Sequence, residues 1–171
     1  IGSHLTDKLI EKGNRVLVID NLSAGKKENL NKKAKFYKID IQNPKISQIF
    51  KKEKPEIVFH YAAQIDVGKS MENPILDANV NILGTLNLLE NCRKFKIKKF
   101  VFISSVGVYG EPKALPLKEN HSLNPSSPYS INKLAIEKYL DYYRVRGLDS
   151  VSLRYSNVYG PRQRSDGEGG V

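Results

Sequence analysis

The chain has 171 residues, a length that fits about one domain with a core of its own. Its 40% hydrophobic and 27% charged residues exclude a disordered chain, and no apolar run approaches the roughly 18 residues of a membrane helix. The net charge of +10 suggests nucleic-acid binding, but the lysines are scattered through helices and turns without an arginine-rich run, which favours a solvated surface.

Five apolar runs predict β-strands, and four stretches beside them predict helices. The runs are nearly continuous rather than alternating, which is typical of parallel strands covered on both faces of a sheet. Strands and helices alternate, and this order predicts an α/β fold with a doubly wound parallel sheet. In chain order we predict a helix at 2–12, strands at 15–20 and 35–39, a helix at 46–52, a strand at 57–60, a helix at 74–95, a strand at 100–104, a helix at 125–146 and a strand at 151–154.

The chain opens directly on the helix at 2–12, whereas the first helix of a doubly wound sheet follows a strand and a glycine-rich turn. We therefore expect a Rossmann-like sheet that lacks its first strand, with residues 1–171 forming a partial dinucleotide-binding domain. The glycine-rich tail at 164–171 predicts a loop, and we expect a C-terminal substrate domain to be missing. The first residues do not resemble a signal peptide, so we expect a cytoplasmic protein.

Asp20 ends the strand predicted at 15–20, about twenty residues after the place where a phosphate-binding turn would close on Gly2. A carboxylate there can accept hydrogen bonds from a ribose diol and would repel a 2′-phosphate. This position predicts NAD rather than NADP as the cofactor. The alternative is an aspartate that only stabilises its own turn.

Small or polar residues also follow the later strands. Ligands of open α/β sheets bind beyond the carboxyl ends of the strands, so these residues are expected to line one crevice. They are Asp40 and Ile41 after the strand at 35–39, Ala62, Ala63 and Gln64 after the strand at 57–60, and Ser104 and Ser105 at the end of the strand at 100–104.

Tyr129 and Lys133 are four residues apart on the helix predicted at 125–146, so their side chains share one face. A free tyrosine has a pKa of about 10, and a neighbouring cation favours the phenolate. The pair is therefore a candidate acid/base unit. The alternative is an exposed tyrosine beside a solvated lysine, because this spacing also arises by chance in lysine-rich chains.

No metal site is predicted. The single cysteine, Cys92, has no partner for an intrachain disulfide and fits a buried position in a helix. The three histidines are far apart and lack the spacing of zinc ligands.

Seven segments, spread in order over almost the whole chain, resemble the extended short-chain dehydrogenases/reductases. Within them the chain is most similar to the NAD-dependent nucleotide-sugar epimerase/dehydratase group, and especially to its UDP-glucose 4-epimerases. The segments are Ile1-Gly2-Ser3-His4-Leu5, Asp20-Asn21-Leu22-Ser23, Tyr61-Ala62-Ala63-Gln64, Asn81-Ile82-Leu83-Gly84-Thr85, Ser104-Ser105-Val106-Gly107-Val108-Tyr109-Gly110, Pro128-Tyr129-Ser130-Ile131-Asn132-Lys133 and the run from Leu153 to Gln163.

The resemblance implies a role for each matching position. Tyr129 would be the base, Lys133 would bond the nicotinamide ribose and lower the Tyr129 pKa, and Ser105 would hydrogen-bond the sugar oxygen that reacts. Asn157 would contact the phosphates of the substrate. The implied cofactor-binding residues are Gly2, Asp20, Asn21, Leu22, Ser23, Asp40, Ile41, Ala62, Ala63, Gln64, Asn81, Ser104, Lys133 and Ser156. Ser156 stands where the family usually has phenylalanine.

The implied activity is 4-epimerisation of a nucleotide sugar, preferably UDP-glucose and UDP-galactose, through a transient 4-keto sugar. A 4,6-dehydratase is an alternative, but it needs an acidic pair after Ser105, where Val106 and Gly107 stand here. A dinucleotide-binding regulator without catalysis is another alternative, and it would have no need of Ser105, Tyr129 and Lys133. The helices at 74–95 and 125–146 resemble those that pair in family dimers, so a homodimer is a further expectation.

Overall fold

The computed structural model describes residues 1–112 and 114–163. The expected tail at 164–171 lies outside the described residues. All five predicted strands and all four predicted helical regions are present, and the described residues add one α-helix after residue 66 and short 3₁₀ turns at Lys27–Asn29 and Val106–Tyr109. In chain order the elements are α1 (Gly2–Glu11), β1 (Leu17–Asp20), β2 (Lys35–Lys38), α2 (Ile46–Glu53), β3 (Ile57–His60), α3 (Val67–Glu72), α4 (Pro74–Ala78), a π-helical segment (Asn79–Gly84), α5 (Thr85–Lys94), β4 (Lys99–Ser105), α6 (Pro128–Arg144) and β5 (Ser150–Tyr155).

All strand pairs are parallel. β1 pairs with β2 in one sheet, and a second sheet has the order β3-β4-β5. In the described part of the chain, β1 and β3 each have one edge without a partner strand. The α/β prediction with parallel strands is confirmed, and the division into two sheets is what a doubly wound sheet without a strand between β1 and β3 would show.

The helix predicted at 74–95 is not uniform. It begins as α4, widens into the π-helical segment and continues as α5. Gly84 explains the local packing, because a Cβ on this residue would lie 2.7 Å from Cδ1 of Ile41. Single wide turns of this kind often occur at functional sites. Here the wide turn carries Asn81, whose side chain is buried.

The start of α6 is fixed by its own sequence. The Ser127 hydroxyl accepts a hydrogen bond from the Ser130 backbone N–H, and the Ser130 hydroxyl accepts one from the backbone N–H of Ser127. Pro128 occupies the first turn, where a missing N–H costs nothing. This capping box is typically worth about 1 kcal/mol. It fixes the start of α6 just before Tyr129.

The hydrophobic core lies between the sheets and the helices α2, α5 and α6. Its largest fully buried side chains include Phe100 and Phe102 of β4, Leu89 of α5, and Ile136 and Leu140 of α6. Each buried side chain of this size contributes roughly 1.5–3 kcal/mol of transfer free energy. The core therefore fixes β4 against α6, the two elements that carry the catalytic candidates.

Near the amino ends of β1 and β2, the carboxylate of Glu53 is buried. It accepts hydrogen bonds from Lys35, Tyr37 and Arg15. These bonds, with Lys35 first, lower the pKa of Glu53 to about 2. The cluster links β2 to the last turn of α2. In the described part of the chain, no helix is both long and apolar enough to cross a membrane, and no group of acidic, histidine and cysteine residues could hold a metal ion.

Candidate active site

The carboxyl ends of the parallel strands carry most of the predicted site residues. Asp20 ends β1, Ser104 and Ser105 end β4, and Ala62 to Gln64 follow β3 within four residues of its end. The first turn of α1 lies beside the chain that follows β3, because a Cβ on Gly2 would be 3.6 Å from Cβ of Tyr61. Separate segments of the sequence thus meet at one edge.

Tyr129 and Lys133 lie side by side on α6. The Lys133 Nζ is 5.5 Å from the centroid of the Tyr129 ring and 4.9 Å from that of Phe102. It donates a hydrogen bond of 2.8 Å to the carbonyl oxygen of Ile103 in β4. The alternative of a solvated lysine is wrong, because Lys133 is only 5% exposed.

Burial changes the acidity of this ammonium group. Removal from water lowers the pKa of Lys133 to about 8, and the negative charge of Asp77 acts in the opposite direction. His60, on β3, is also buried, and burial with the charge of Lys133 lowers its pKa to about 3. His60 is therefore a neutral ring at physiological pH, and its Nε2 lies 2.8 Å from the Thr85 hydroxyl.

The two serines at the end of β4 face different surroundings. The Ser105 hydroxyl is half-buried and accepts a hydrogen bond of 3.1 Å from the Gly107 backbone N–H, which leaves its proton available to a ligand. The Ser104 hydroxyl instead donates to Oε1 of Glu137 at 2.6 Å, and Ser104 is 2% exposed. Its side chain belongs to the core network, so any contact of Ser104 with a cofactor would come from its backbone.

Glu137 was not singled out from the sequence. Its carboxylate forms a two-bond ion pair with Arg154 of β5, whose Nη1 also donates to the Tyr109 hydroxyl at 2.7 Å. The available signal was its position four residues after Lys133, which places both on one helix face. This network connects β4, β5 and α6 next to Ser105, because Ser104 of β4 and Arg154 of β5 both bond Glu137 of α6.

A second network surrounds Asp77, which the sequence analysis also missed. Its carboxylate accepts hydrogen bonds from the side-chain amides of Gln64, Asn81 and Asn132. Asn81 also bonds both backbone groups of Gln64, at 3.0 and 2.9 Å. The spacing of Asp77 four residues before Asn81 was the signal that could have found it.

The turn after β1 joins the predicted ribose-binding residues to those after β2. Oδ1 of Asp20 accepts from the Leu22 backbone N–H at 2.7 Å, so this aspartate does stabilise its own turn. Leu22 has a positive φ of 61°, and the Asn21 side chain accepts from the Ser23 N–H. Asn21 also donates to Oδ2 of Asp40 at 2.7 Å, which brings the Asp20 and Asp40 turns together. Ile41, next to Asp40, is 6% exposed and packs in the core.

Ser156 and Asn157 follow β5 and are exposed. The loop beyond them returns to α1, where Nη1 of Arg162 bonds Oδ2 of Asp7 at 2.8 Å and Nε2 of His4 lies 2.9 Å from the carbonyl oxygen of Pro161. The segment after β5 is thus anchored beside the first helix.

A comparison with protein families decides the assignment. The model of the family described as "NAD dependent epimerase/dehydratase family" matches residues 1–171. The chain belongs to this family. The extended short-chain dehydrogenase/reductase resemblance found in the sequence motifs is thereby confirmed.

Curated relatives and solved structures give the same result. The chain is 44% identical to a UDP-glucose 4-epimerase of Mycolicibacterium smegmatis and 41% identical to one of Lacticaseibacillus casei, covering 100% and 94% of this chain but 57% and 49% of the relatives. The Thermus thermophilus UDP-glucose 4-epimerase complex with NAD matches with a TM-score of 0.94 and 45% identity, over 99% of this chain and 56% of that one. The Thermotoga maritima enzyme with UDP-glucose matches with a TM-score of 0.95 and 48% identity, over 98% and 55%.

These similarities confirm the Rossmann-like fold. The chain spans about half the length of the curated relatives that it matches.

Proposed function

We propose that the complete protein is an NAD-dependent nucleotide-sugar epimerase that interconverts UDP-glucose and UDP-galactose through a transient 4-keto sugar. The observation that carries the proposal is the buried Lys133 ammonium beside the Tyr129 ring, at the carboxyl end of β4. The UDP-glucose 4-epimerases to which the chain is similar support the choice of reaction. In this proposal residues 1–171 form part of the cofactor-binding domain of a cytoplasmic enzyme.

The residues present fit NAD. No side chain caps α1 in the described part of the chain, so the first N–H groups of this helix remain suited to a phosphate. Asp20 offers a carboxylate at the end of β1, where a ribose diol would bind. The proposed cofactor-binding residues are Gly2, Asp20, Asn21, Leu22, Ser23, Asp40, Ile41, Ala62, Ala63, Gln64, Asn81, Ser104, Lys133 and Ser156.

The chain's own residues handle the proton. Tyr129 takes the proton of the sugar 4-hydroxyl as its phenolate, which the neighbouring ammonium of Lys133 favours, and returns it when the sugar is reduced again. The Ser105 hydroxyl donates a hydrogen bond to the same sugar oxygen, because its lone pairs already accept from Gly107. NAD, when bound, supplies the reversible acceptance of hydride from the sugar carbon.

The substrate proposal is a UDP-hexose, with Asn157 contacting its phosphates. UDP-glucose is preferred because it is named with the similar Thermotoga maritima structure. A 41% identical structure is named as a UDP-N-acetylglucosamine 4-epimerase of Methanobrevibacter ruminantium, so an N-acetylated sugar is the alternative to test.

A homodimer through α6 forms part of the proposal. Tyr139, Tyr142 and Val145 present apolar surface along this helix and are 40%, 49% and 80% exposed. Replacing Tyr139 and Tyr142 together by glutamate is expected to convert a dimer to a monomer in analytical ultracentrifugation. A wild-type monomer would refute this part.

Replacing Tyr129 by phenylalanine tests the function in protein expressed from the complete coding sequence. We expect turnover of UDP-galactose to fall by about 10²-fold or more, because general acid/base catalysis is lost while the ring and the fold remain. Bound NAD, measured after denaturation, is expected to stay at the wild-type level.

The matched control is Tyr37→Phe on β2, which removes a phenol hydroxyl bonded to Glu53 far from α6 and is expected to retain full turnover. Unchanged turnover in Tyr129→Phe would refute the assignment of the base. A stable 4-keto-6-deoxy sugar from the wild type would identify a dehydratase instead, and NAD binding without any turnover would identify a regulator.

A further inference from the structure

Asp77 is a fully buried carboxylate close to the proposed acid/base pair. Its relative exposure is 0%, and it lies on α4, the helix that leads into the π-helical segment. Oδ1 accepts hydrogen bonds from Gln64 Nε2 at 2.7 Å and Asn81 Nδ2 at 3.0 Å, and Oδ2 accepts one from Asn132 Nδ2 at 2.7 Å. Three different segments thus direct amide donors at one acid.

These donors satisfy the carboxylate oxygens, but they do not neutralise the charge. Among the described residues, no lysine or arginine forms an ion pair with Asp77, in contrast to the buried Glu53 and Glu137. A buried charge without a counter-ion is costly, so Asp77 depends on its hydrogen bonds and on any cation held nearby. Asn132 is the neighbour of Lys133 on α6, so the carboxylate is held beside the turn that carries the buried ammonium.

Of the charged and titratable groups around Lys133, Asp77 is the one that can act as its counter-charge. His60 faces it from β3 as a neutral ring, and Tyr129 lies one turn before it on α6. Glu137, one turn after it, is already paired with Arg154 of β5. From α4, Asp77 is the acid whose charge acts on Lys133.

We propose that Asp77 is a positioning residue whose negative charge keeps Lys133 in its ammonium form, while Gln64, Asn81 and Asn132 hold the carboxylate in place. The inference rests on the proposed function only for its kinetic consequence. Asp77 touches neither the sugar nor the cofactor in this role and acts through Lys133 alone. Loss of its charge would leave the base without the cation that favours the phenolate.

Asp77→Asn removes this charge with little change of shape. The new Oδ1 can still accept from Gln64 and Asn81. The new amide can donate to Asn132 once the Asn132 amide rotates by half a turn, because the only side-chain hydrogen bond of Asn132 within the described chain is the one to Asp77. The variant therefore separates the charge from the hydrogen-bonding network.

The first measurement does not depend on activity. In protein expressed from the complete coding sequence with labelled lysine, NMR follows each ammonium group as the pH rises, and Lys133→Met identifies the Lys133 signal. We expect Lys133 to titrate well below the ordinary lysine value of about 10.4, and its midpoint to fall by about one pH unit in Asp77→Asn. An unchanged midpoint in the folded variant would overturn the proposal.

Two controls separate charge from structure. Asn132→Ala deletes one hydrogen bond but retains the carboxylate and its two bonds to Gln64 and Asn81, so the Lys133 midpoint is expected to stay. Glu53→Gln neutralises another buried acid at the far end of the sheet and is expected to leave the midpoint unchanged. If Asp77→Asn does not fold, the ¹³C shift of the Asp77 carboxyl in the wild type decides, because a protonated carboxyl at pH 7 would overturn the proposal.

The kinetic measurement applies if the wild type is an epimerase. The alkaline limb of the pH profile of kcat is expected to move to lower pH by the same amount in Asp77→Asn, with KM for the sugar nucleotide unchanged. A purely structural role would lower stability without moving this limb, and that result would also overturn the proposal. A wild type without epimerase activity would refute the proposed function, while the NMR titration would still test Asp77.

Discussion

Replacing Lys133 by methionine is expected to flatten a rise of stability with pH that the burial of its ammonium group creates. Burial lowers the pKa of Lys133 from 10.5 to about 8 in the folded protein. Below pH 8 both folded and unfolded chains hold the proton, and the folded state bears the full cost of the buried charge. Between pH 8 and 10.5 the unfolded chain binds more protons, so stability increases with pH.

The size of this rise follows from the two pKa values. Each pH unit between them corresponds to about 1.4 kcal/mol, so the free energy of unfolding gains about 3 kcal/mol from Lys133 over this range. The proper comparison is Tyr129→Phe against the double variant Tyr129→Phe/Lys133→Met, because the phenylalanine removes the phenol hydroxyl of the ring beside the ammonium and leaves Lys133 as the group that differs. Urea unfolding followed by circular dichroism from pH 7.5 to 10.5 measures the difference.

Lys138→Met is the matched control for this experiment. Lys138 lies on the same helix but is exposed, so its replacement is expected to leave the pH dependence unchanged. The free energy of unfolding can also run parallel with pH in the chains with and without Lys133 between pH 8 and 10.5. In that case burial does not destabilise the ammonium group, and the reasoning about the site is refuted.

Two further variants test interactions that stabilise the fold, one far from the site and one in the loop after β4. The pKa of Glu53 is lowered to about 2, so Glu53 contributes stability above pH 4.5 that is lost as the pH falls towards 2. The melting temperature of Glu53→Gln is therefore expected to fall less between pH 4.5 and pH 2 than that of the wild type. Gly110→Ala would bring a Cβ to 2.0 Å from the Asn124 carbonyl oxygen at a φ of +65°, whereas Gly147→Ala has a φ of +89° and no neighbour within 4 Å. We expect Gly110→Ala to cost about 1–3 kcal/mol more than Gly147→Ala in urea unfolding, and equal losses would contradict the clash.

The strands could be predicted from the sequence because apolar residues cluster in each of them between polar turns, even in β2 and β5, where lysine, serine or arginine stands among the apolar residues. The helix at 74–95 could be predicted as a helical region, but its π-helical segment could not, and neither could the close approach of Gly84 to the side chain of Ile41, more than forty residues earlier. Local periodicity carries no information about such a contact.

The candidate site divides in the same way. Tyr129, Lys133 and Ser105 could be found from spacing and position, because they lie at strand ends or on one helix turn. Asp77 and Glu137 lie four residues from Asn81 and Lys133, but this spacing alone does not distinguish an acid buried against distant partners from an acid on the surface. For Ser104 the sequence could not show that the hydroxyl would be taken up by Glu137.

The π-helical segment at Asn79–Gly84 also limits how this part of the chain can change in length. Each residue of a helix turns the chain by about 100°, so deleting one residue here would restore a regular α-helix and rotate one flank against the other. Either Asn81 would leave Gln64 and Asp77, or Leu88 and Leu89 would leave the core. Insertions and deletions within these six residues are therefore expected to abolish function, whereas substitutions of the exposed Leu83 are expected to be tolerated.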